Sequence, residues 1–487
     1  MGDYMNFKIV SLFLGRISLA ETGVLLVPLF LGLWDGDGSA PVFVISIVCC
    51  FAAAAFFLSG GEARRQKLTA QEGIAITGLG WILATALGMV PYVAGDYLGF
   101  LDGIFESISG FTGTGATVIS DLTGLPQSIL LWRSMTHWLG GLGIVVIFIA
   151  LLPESGQNSS YIYNAEAAGP TKERVLPRLQ DMTKVLFEIY STFTLLAFSV
   201  FLLCGMDFIS ALNHALSTVS AGGFSTYNES AAYFDNVAIE GWMTFFMILA
   251  GGNFGLYYRV YHKGFSVLRS NTEFKAYMLI LLTATVLVLL NLMYAHGLGF
   301  FDAARYAAFQ VVSIETTGFV SADYDQWPAF SKIILLGLML CGGCAGSTAA
   351  GLKVSRVVIL IRSVKANILH LLYPKHVLEI HMNGYMLHEN TLLRAGQYFF
   401  VYILFIALWA LLLAWDGIEI FDAVGISVST MGCVGPAFGI TGATCTYAEL
   451  STFAKTVLCF SMLIGRLEIF TFLAMLRPGL WRGKNTW

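Results

Sequence analysis

Apolar residues gather into long runs along this chain, and the polar residues between them come in short, sharply placed groups. Uncharged runs fill Gly73 to Gly95, Ser134 to Pro153, Gly241 to Tyr258, Ala276 to Phe301, Ile333 to Leu352 and Ala395 to Trp415. Shorter or once-charged runs lie near Ile9 to Trp34, Pro41 to Ser59, Ile189 to Met206 and Thr456 to Leu476. A helix needs about 20 apolar residues to cross a hydrocarbon core roughly 30 Å thick, so these ten runs predict ten membrane spans.

Between the spans one shorter pattern is written four times: an acid, about three turns of small and apolar residues, then a knot rich in glycine and hydroxyl side chains. The copies start at Asp102, Asp207, Asp302 and Asp422 and end at Gly115, Gly223, Gly318 and Gly435, offsets of 13, 16, 16 and 13 residues. Each copy is too short to span and predicts a half helix that enters the membrane and turns back. The chain therefore divides into two leading spans at 1–70 and four units of helix, re-entrant pore loop and helix at 71–160, 183–262, 272–373 and 391–482. The expected fold is an all-α polytopic membrane protein, its four pseudo-repeats arranged around one axis like a potassium channel.

Composition agrees: of 487 residues 56% are hydrophobic and only 12% charged, with mean hydropathy +0.72, too little polar surface for a soluble protein. Charge sets the orientation. With the N-terminus inside, 22 of the 27 Lys and Arg fall on cytoplasmic segments and four, Arg133, Arg305, Lys332 and Lys455, on outer ones, while Arg466 lies within a span. By the positive-inside rule both termini are cytoplasmic. The outer segments then hold 18 of the 31 acids, which attracts cations. The first span lacks a small-residue cleavage site and reads as retained. The linker from Pro153 to Thr183 reads as flexible. The eight cysteines define no disulfide framework or zinc site.

A half helix that stops in mid-membrane aims its unpaired carbonyls and negative dipole end at the centre, tolerable only where it lines a water-filled cavity. Four such ends suit a desolvated cation. The knots read Thr112-Gly113-Thr114-Gly115, Ser220-Ala221-Gly222-Gly223, Glu315-Thr316-Thr317-Gly318 and Gly432-Cys433-Val434-Gly435. They share only the last glycine, so backbone carbonyls rather than side chains must coordinate. Close helix packing by small residues is the competing explanation for one copy, and four matched copies favour the pore. Glu315 either buttresses the knot or faces the outer vestibule.

Two departures from repetition predict a gate. The second span of the third unit is interrupted by LCGGCAGSTAAG at 340–351, where so many small residues cannot hold a rigid helix. Its Gly342, Gly343, Gly346, Ser347, Thr348 and Gly351 form either an obstructing loop or a cytoplasmic cap, and only this unit is expected to have a broken inner helix. Arg466, in mid-span, must face water or a partner. It either points at the axis and bonds the loop or forms a structural ion pair, and Glu468, two residues on, lies on another helical face.

These residues resemble the TrkH subfamily of the Trk/Ktr superfamily of potassium uptake proteins. The marks are GFTGTGATV from Gly110, WRSMTHWLGGLGI from Trp132, STVSAGGFST from Ser217, ETTGF from Glu315, GGCAGSTAAGLK from Gly342 and GRLEIFT from Gly465. The resemblance implies a gated, potassium-selective pore in the bacterial inner membrane, potassium as the transported ion and no cofactor on this chain. It also implies a homodimer with one pore per subunit and a cytosolic TrkA-type ring that binds nucleotides. It matches Gly115, Gly223, Gly318 and Gly435 to the filter glycines, 342–351 to an intramembrane gating loop and Arg466 to a pore arginine. Relatives with serine at one filter glycine admit more sodium. Gly113 leaves two glycine registers open in the first knot. The alternative is a proton- or sodium-coupled symporter, whose usual inverted broken helices are missing from this pattern. No hydrolase or metalloprotease motif accompanies Ser134, His137 or His214, so the chain is not read as an enzyme, nor as binding nucleic acid.

Overall fold

The computed structural model describes residues 5–60, 69–143, 179–374, 380–383, 385–387 and 389–482. Most of the 153–183 linker lies outside them, as does the last half of the second span of unit one, 144–153. The molecule is a multi-pass helical membrane protein whose one two-stranded element among the described residues is a hairpin pairing His381–Met382 with Tyr385–Met386.

Among the described residues six continuous helices are long and apolar enough to cross a membrane: Phe7–Asp35, Ala40–Gly60, Ala70–Ala94, Asp181–Leu203, Thr272–His296 and Glu389–Trp415. Their outward faces carry large apolar side chains such as Phe30, Leu33, Leu279, Leu282 and Phe400. In water such a surface would aggregate, and in lipid it is solvated. The two leading spans pack on each other and, with the two helices of unit one, form a core that includes Ile9, Phe43, Trp81 and Trp132. A larger core joins units two to four.

The four half helices are Phe100–Thr112, Phe208–Val219, Phe300–Thr316 and Ile420–Gly432. The second helix of each unit packs on the half helix of the next. Gln127–Gly141 meets Phe208–Val219, Val237–Gly251 meets Phe300–Thr316, Ala329–Leu340 meets Ile420–Gly432, and Thr452–Leu467 returns to Phe100–Thr112. That cyclic order closes four units into one ring. Ion pairs repeat it at the mouth: Lys455 to Asp102 at 2.8 Å joins unit four to unit one, and Arg305 to Glu240 at 2.7 Å joins three to two.

The leading acids all sit at helix starts, where negative charge meets the positive dipole end, but in two registers. Asp207 is the cap itself, accepting from the Ser210 N–H at 3.0 Å, whereas Asp102, Asp302 and Asp422 lie three residues inside caps at Gly99, Gly299 and Glu419. From cap to last glycine the distances are 115 − 99 = 16, 223 − 207 = 16, 318 − 299 = 19 and 435 − 419 = 16 residues. The third half helix is thus longer by about one turn, and its equal Asp offset with unit two is a coincidence of register.

The broken inner helix is not confined to unit three. In unit two the run from Gly241 to Tyr258 does not cross straight. It bends by 94° between Val237–Gly251 and Phe254–Lys263, because Gly252 is extended and Asn253 caps the second piece by accepting from the Leu256 N–H. In unit four Thr452–Leu467 and Ile469–Leu476 meet at 113° about Glu468, whose φ is +62°.

Candidate functional site

Each half helix must end where its chain turns back, and the endings are built locally. In units one, two and four a left-handed residue, Gly113, Ala221 or Cys433, terminates the helix. The next N–H then reaches back to close it, Thr114 to the Ser109 carbonyl, Gly222 to Ser217 and Val434 to Ser429. In unit three Thr317 stays right-handed and the closing N–H belongs to Gly318 itself, bonding the Ser313 carbonyl. The last glycine of every knot is left-handed, with φ of +80°, +82°, +91° and +101° at Gly115, Gly223, Gly318 and Gly435.

These four glycines meet in a ring. A Cβ placed on Gly115 would lie 2.2 Å from the Gly222 carbonyl oxygen, on Gly223 2.2 Å from that of Thr317, on Gly318 1.9 Å from that of Val434, and on Gly435 2.5 Å from that of Thr114. Each glycine therefore accommodates the carbonyl that precedes the glycine of the next unit, and only hydrogen fits there. The closure runs through Gly115, not Gly113, whose Cβ would meet nothing closer than 3.8 Å. Gly113 serves as the helix cap.

Cavities flank the ring. On the side from which the half helices enter, a cavity of about 230 Å³ is lined by Gly115, Gly223, Gly318 and Pro436, a residue from each knot or its immediate neighbour. On the other side a cavity of about 100 Å³ is lined by Gly141, Thr348, Gly351, Lys353, Arg466 and Glu468.

The wall of the entry-side cavity is pinned by buried polar groups. Glu106 accepts from Arg133 at 2.8 Å, from the Thr117 hydroxyl at 3.0 Å and from the Val118 N–H at 3.0 Å. Arg133 also donates to the Ser225 carbonyl at 3.2 Å and lies 4.0 Å from the Phe224 ring, joining unit one to unit two. Both charges are at most 1% exposed. Breaking such a pair leaves an uncompensated buried charge, costing roughly 3–5 kcal/mol. Arg133→Met should therefore lower the thermal unfolding temperature of the detergent-solubilised protein by several degrees, and Glu106→Gln added to it should recover part of the loss. His137 and His214 are packing residues, bonded to the Gly110 and Ser210 carbonyls at 2.7 Å each. Glu315 is buried, not in the vestibule, and neither carboxylate oxygen has a hydrogen-bond partner among the described residues. On the loops beside the entry-side cavity, burial lifts the Asp325 carboxyl above the usual carboxylate range although the Gly439 and Ala443 N–H groups donate to it.

Beyond the ring, Ala329–Leu340 stops short and residues 341–353 form a loop. Its ends are joined by the Gly342 N–H on the Leu352 carbonyl at 2.9 Å, and it leans on the bend of unit two through the Cys344 N–H on the Gly251 carbonyl at 2.8 Å. The Thr348 hydroxyl lies 3.1 Å from the carbonyls of both Val219 and Ala250. Arg466 donates to the Thr348 carbonyl at 2.8 Å and to the carbonyls of Gly140 and Gly141, tying unit four, the loop and unit one together. Glu468 turns away and pairs with Arg356 at 2.7 Å, with the guanidinium stacked 3.5 Å from the Tyr398 ring. Two residues escaped the sequence reading. Glu273 anchors the loop, accepting from the Ala345 N–H at 2.6 Å and the Ser355 N–H at 3.1 Å, and buried Lys353 donates to the Ala349 carbonyl. An acid in a first helical turn is ordinary, so Glu273 gave no signal.

Comparison with known proteins gives a consistent picture. A family model described as TrkH, cation transport protein, matches residues 39–478. The Trk system potassium uptake proteins TrkH of Salmonella typhimurium and of Escherichia coli K12 are 32% and 31% identical over 487 residues, covering 98% of this chain and 100% of each relative. TrkG of Escherichia coli K12 is 30% identical over 465 residues, 94% of this chain and 95% of that protein. The crystal structure of the potassium transporter TrkH from Vibrio parahaemolyticus matches with a TM-score of 0.89 at 31% identity, over 98% of this chain and 100% of that one.

Proposed function

The chain belongs to the TrkH family, potassium uptake transporters and not enzymes, and on that premise we propose that potassium crosses this subunit through the four-glycine ring by gated, channel-like conduction. The observation that carries the reading is the cyclic fit of each glycine against the next unit's carbonyl, between two cavities. Backbone carbonyls of Thr112 to Gly115, Ser220 to Gly223, Thr316 to Gly318, Cys433 and Val434 replace the ion's hydration shell, with Gly435 supplying the turn that closes the fourth knot. The innermost contacts are the carbonyls of Thr114, Gly222, Thr317 and Val434. The half-helix C-termini add their negative dipole ends.

The loop at 342–351, held by Arg466, Glu273 and Thr348, is the gate. Opening requires those bonds to yield, which is work for a cytosolic TrkA-type nucleotide-binding ring acting on a homodimer in the inner membrane. With both termini cytoplasmic, as the Lys and Arg distribution indicates, the acid-rich entry side faces outward and collects cations.

Proton- or sodium-coupled symport is the second reading, and buried Glu315 at the head of the third knot, without a hydrogen-bond partner among the described residues, favours it, since an intramembrane carboxyl can carry a coupling proton. Potassium flux into liposomes with the proton gradient clamped to zero separates the two. The pore reading expects flux that follows the potassium gradient alone; flux that stops when the proton gradient is removed would replace it with symport.

A further inference from the structure

The four knots agree in their glycines and differ in what stands behind them. Each half helix carries a serine at the carbonyl that closes its end: Ser109, Ser217, Ser313 and Ser429. In units one and two that hydroxyl is buried without a partner among the described residues. In unit three the Ser313 hydroxyl donates to the Phe319 carbonyl at 2.6 Å, one residue past the glycine. In unit four the Ser429 hydroxyl reaches the carbonyl of the ring glycine itself, Gly435, at 2.9 Å, and that of Pro436 at 3.0 Å. A second hydroxyl, that of Tyr447, donates to the same Gly435 oxygen at 2.6 Å.

A carbonyl oxygen has two lone pairs. With the Tyr447 hydroxyl and the Ser429 hydroxyl, whose one hydrogen is shared with the Pro436 carbonyl, on its lone pairs, the Gly435 oxygen is directed into the protein wall and away from a cation on the axis. No hydroxyl reaches the Gly115, Gly223 or Gly318 carbonyls among the described residues. Tyr447 is well placed to hold the arrangement. It is 1% exposed, its ring packs against Phe105 with centroids 5.7 Å apart, and its own N–H donates to the Thr117 carbonyl of unit one at 2.8 Å. The hydroxyl is therefore fixed from both sides of the boundary between units four and one.

We propose that Tyr447, with Ser429, is a positioning residue for ion selectivity that holds the Gly435 carbonyl out of the ion path. At the glycine level the cage is then threefold in carbonyls, not fourfold, with the missing corner between units three and one. This rests on the reading of the ring as the ion path. Because discrimination between potassium and sodium depends on the number and field strength of the carbonyl dipoles facing the ion, a fourth carbonyl released to move inward would adapt to the smaller ion. The hydroxyls are thereby a selectivity device that touches no ion.

The test uses the purified full-length chain in liposomes, measuring potassium, rubidium and sodium flux for the parent, Tyr447→Phe, Ser429→Ala and Gly318→Ser. Tyr447→Phe and Ser429→Ala should each lower the potassium-to-sodium ratio by about threefold or more, the scale of one hydrogen bond. A purely structural role would change all three fluxes by one factor and leave the ratios alone, and that result, with Gly318→Ser shifting the ratio, overturns the proposal while the filter stands. If Gly318→Ser also leaves the ratio unchanged, the filter reading fails and takes the proposal with it. Should Tyr447→Phe not fold, Ser429→Ala, which removes a single oxygen, decides alone.

Discussion

Gly318→Ser should cost this transporter most of its preference for potassium, lowering the potassium-to-sodium permeability ratio by about tenfold or more, equivalent to roughly 1.4 kcal/mol. Two effects act at one atom. Gly318 has a φ of +91°, where a residue with a Cβ pays roughly 1–2 kcal/mol. That Cβ would also lie 1.9 Å from the Val434 carbonyl oxygen and 3.0 Å from Pro436 Cδ. The carbonyl that must move is one of the ion's own contacts in the proposed filter, so the strain falls on coordination before it falls on the fold. Gly318 is the most exposed of the four positions to this argument, because its knot has no second left-handed residue to share the turn, whereas Gly113, Ala221 and Cys433 stand two residues before the other ring glycines. Competition between sodium and rubidium uptake reads the effect directly. Unchanged ratios in a well-expressed variant would remove the glycine ring from the filter.

Arg466→Ala should raise flux through the protein lacking any partner by about tenfold. Its guanidinium donates to carbonyls of Thr348, Gly140 and Gly141, and charge-assisted bonds of this kind contribute roughly 1.5–3 kcal/mol each. Loss of one such bond's worth of energy moves a closed-to-open equilibrium by about tenfold, even if the remaining loop contacts persist. The positive charge on the side of the ring opposite the entry cavity is removed by the same change, which lowers the electrostatic barrier to a cation. Deleting 343–350 should act in the same direction and more strongly, since it also removes the Thr348 bonds to Val219 and Ala250. Flux that falls, or stays level at normal expression, would show that the loop and Arg466 are structural and not a gate.

How much of this was legible in the sequence depends on the kind of information involved. Continuous spans such as Ala40–Gly60 and Glu389–Trp415 are written in apolar length alone, and the ring glycines in the repetition of the last knot position. Breaks within a span were harder to read. The uncharged run through Gly251, Gly252 and Asn253 carries a helix stop followed by a cap, yet hydropathy averages over both, and Glu468 gave no turn signal although it breaks its helix by 113°. The Asp offsets misled in a physically instructive way: an acid serves a helix start equally as cap or three residues within, so equal spacing in units two and three concealed a difference of about one turn. Tertiary partners such as Glu273 under the loop and Tyr447 behind Gly435 lie far from their targets in sequence and in no repeated pattern, and only the folded ring brings them together.

The four-glycine ring is expected to conduct potassium in preference to sodium by itself. The reversal potential across a bilayer holding only this purified protein, with potassium on one side and sodium on the other, tests it most directly. A potential close to the potassium equilibrium value is the predicted result, and one near zero would contradict it.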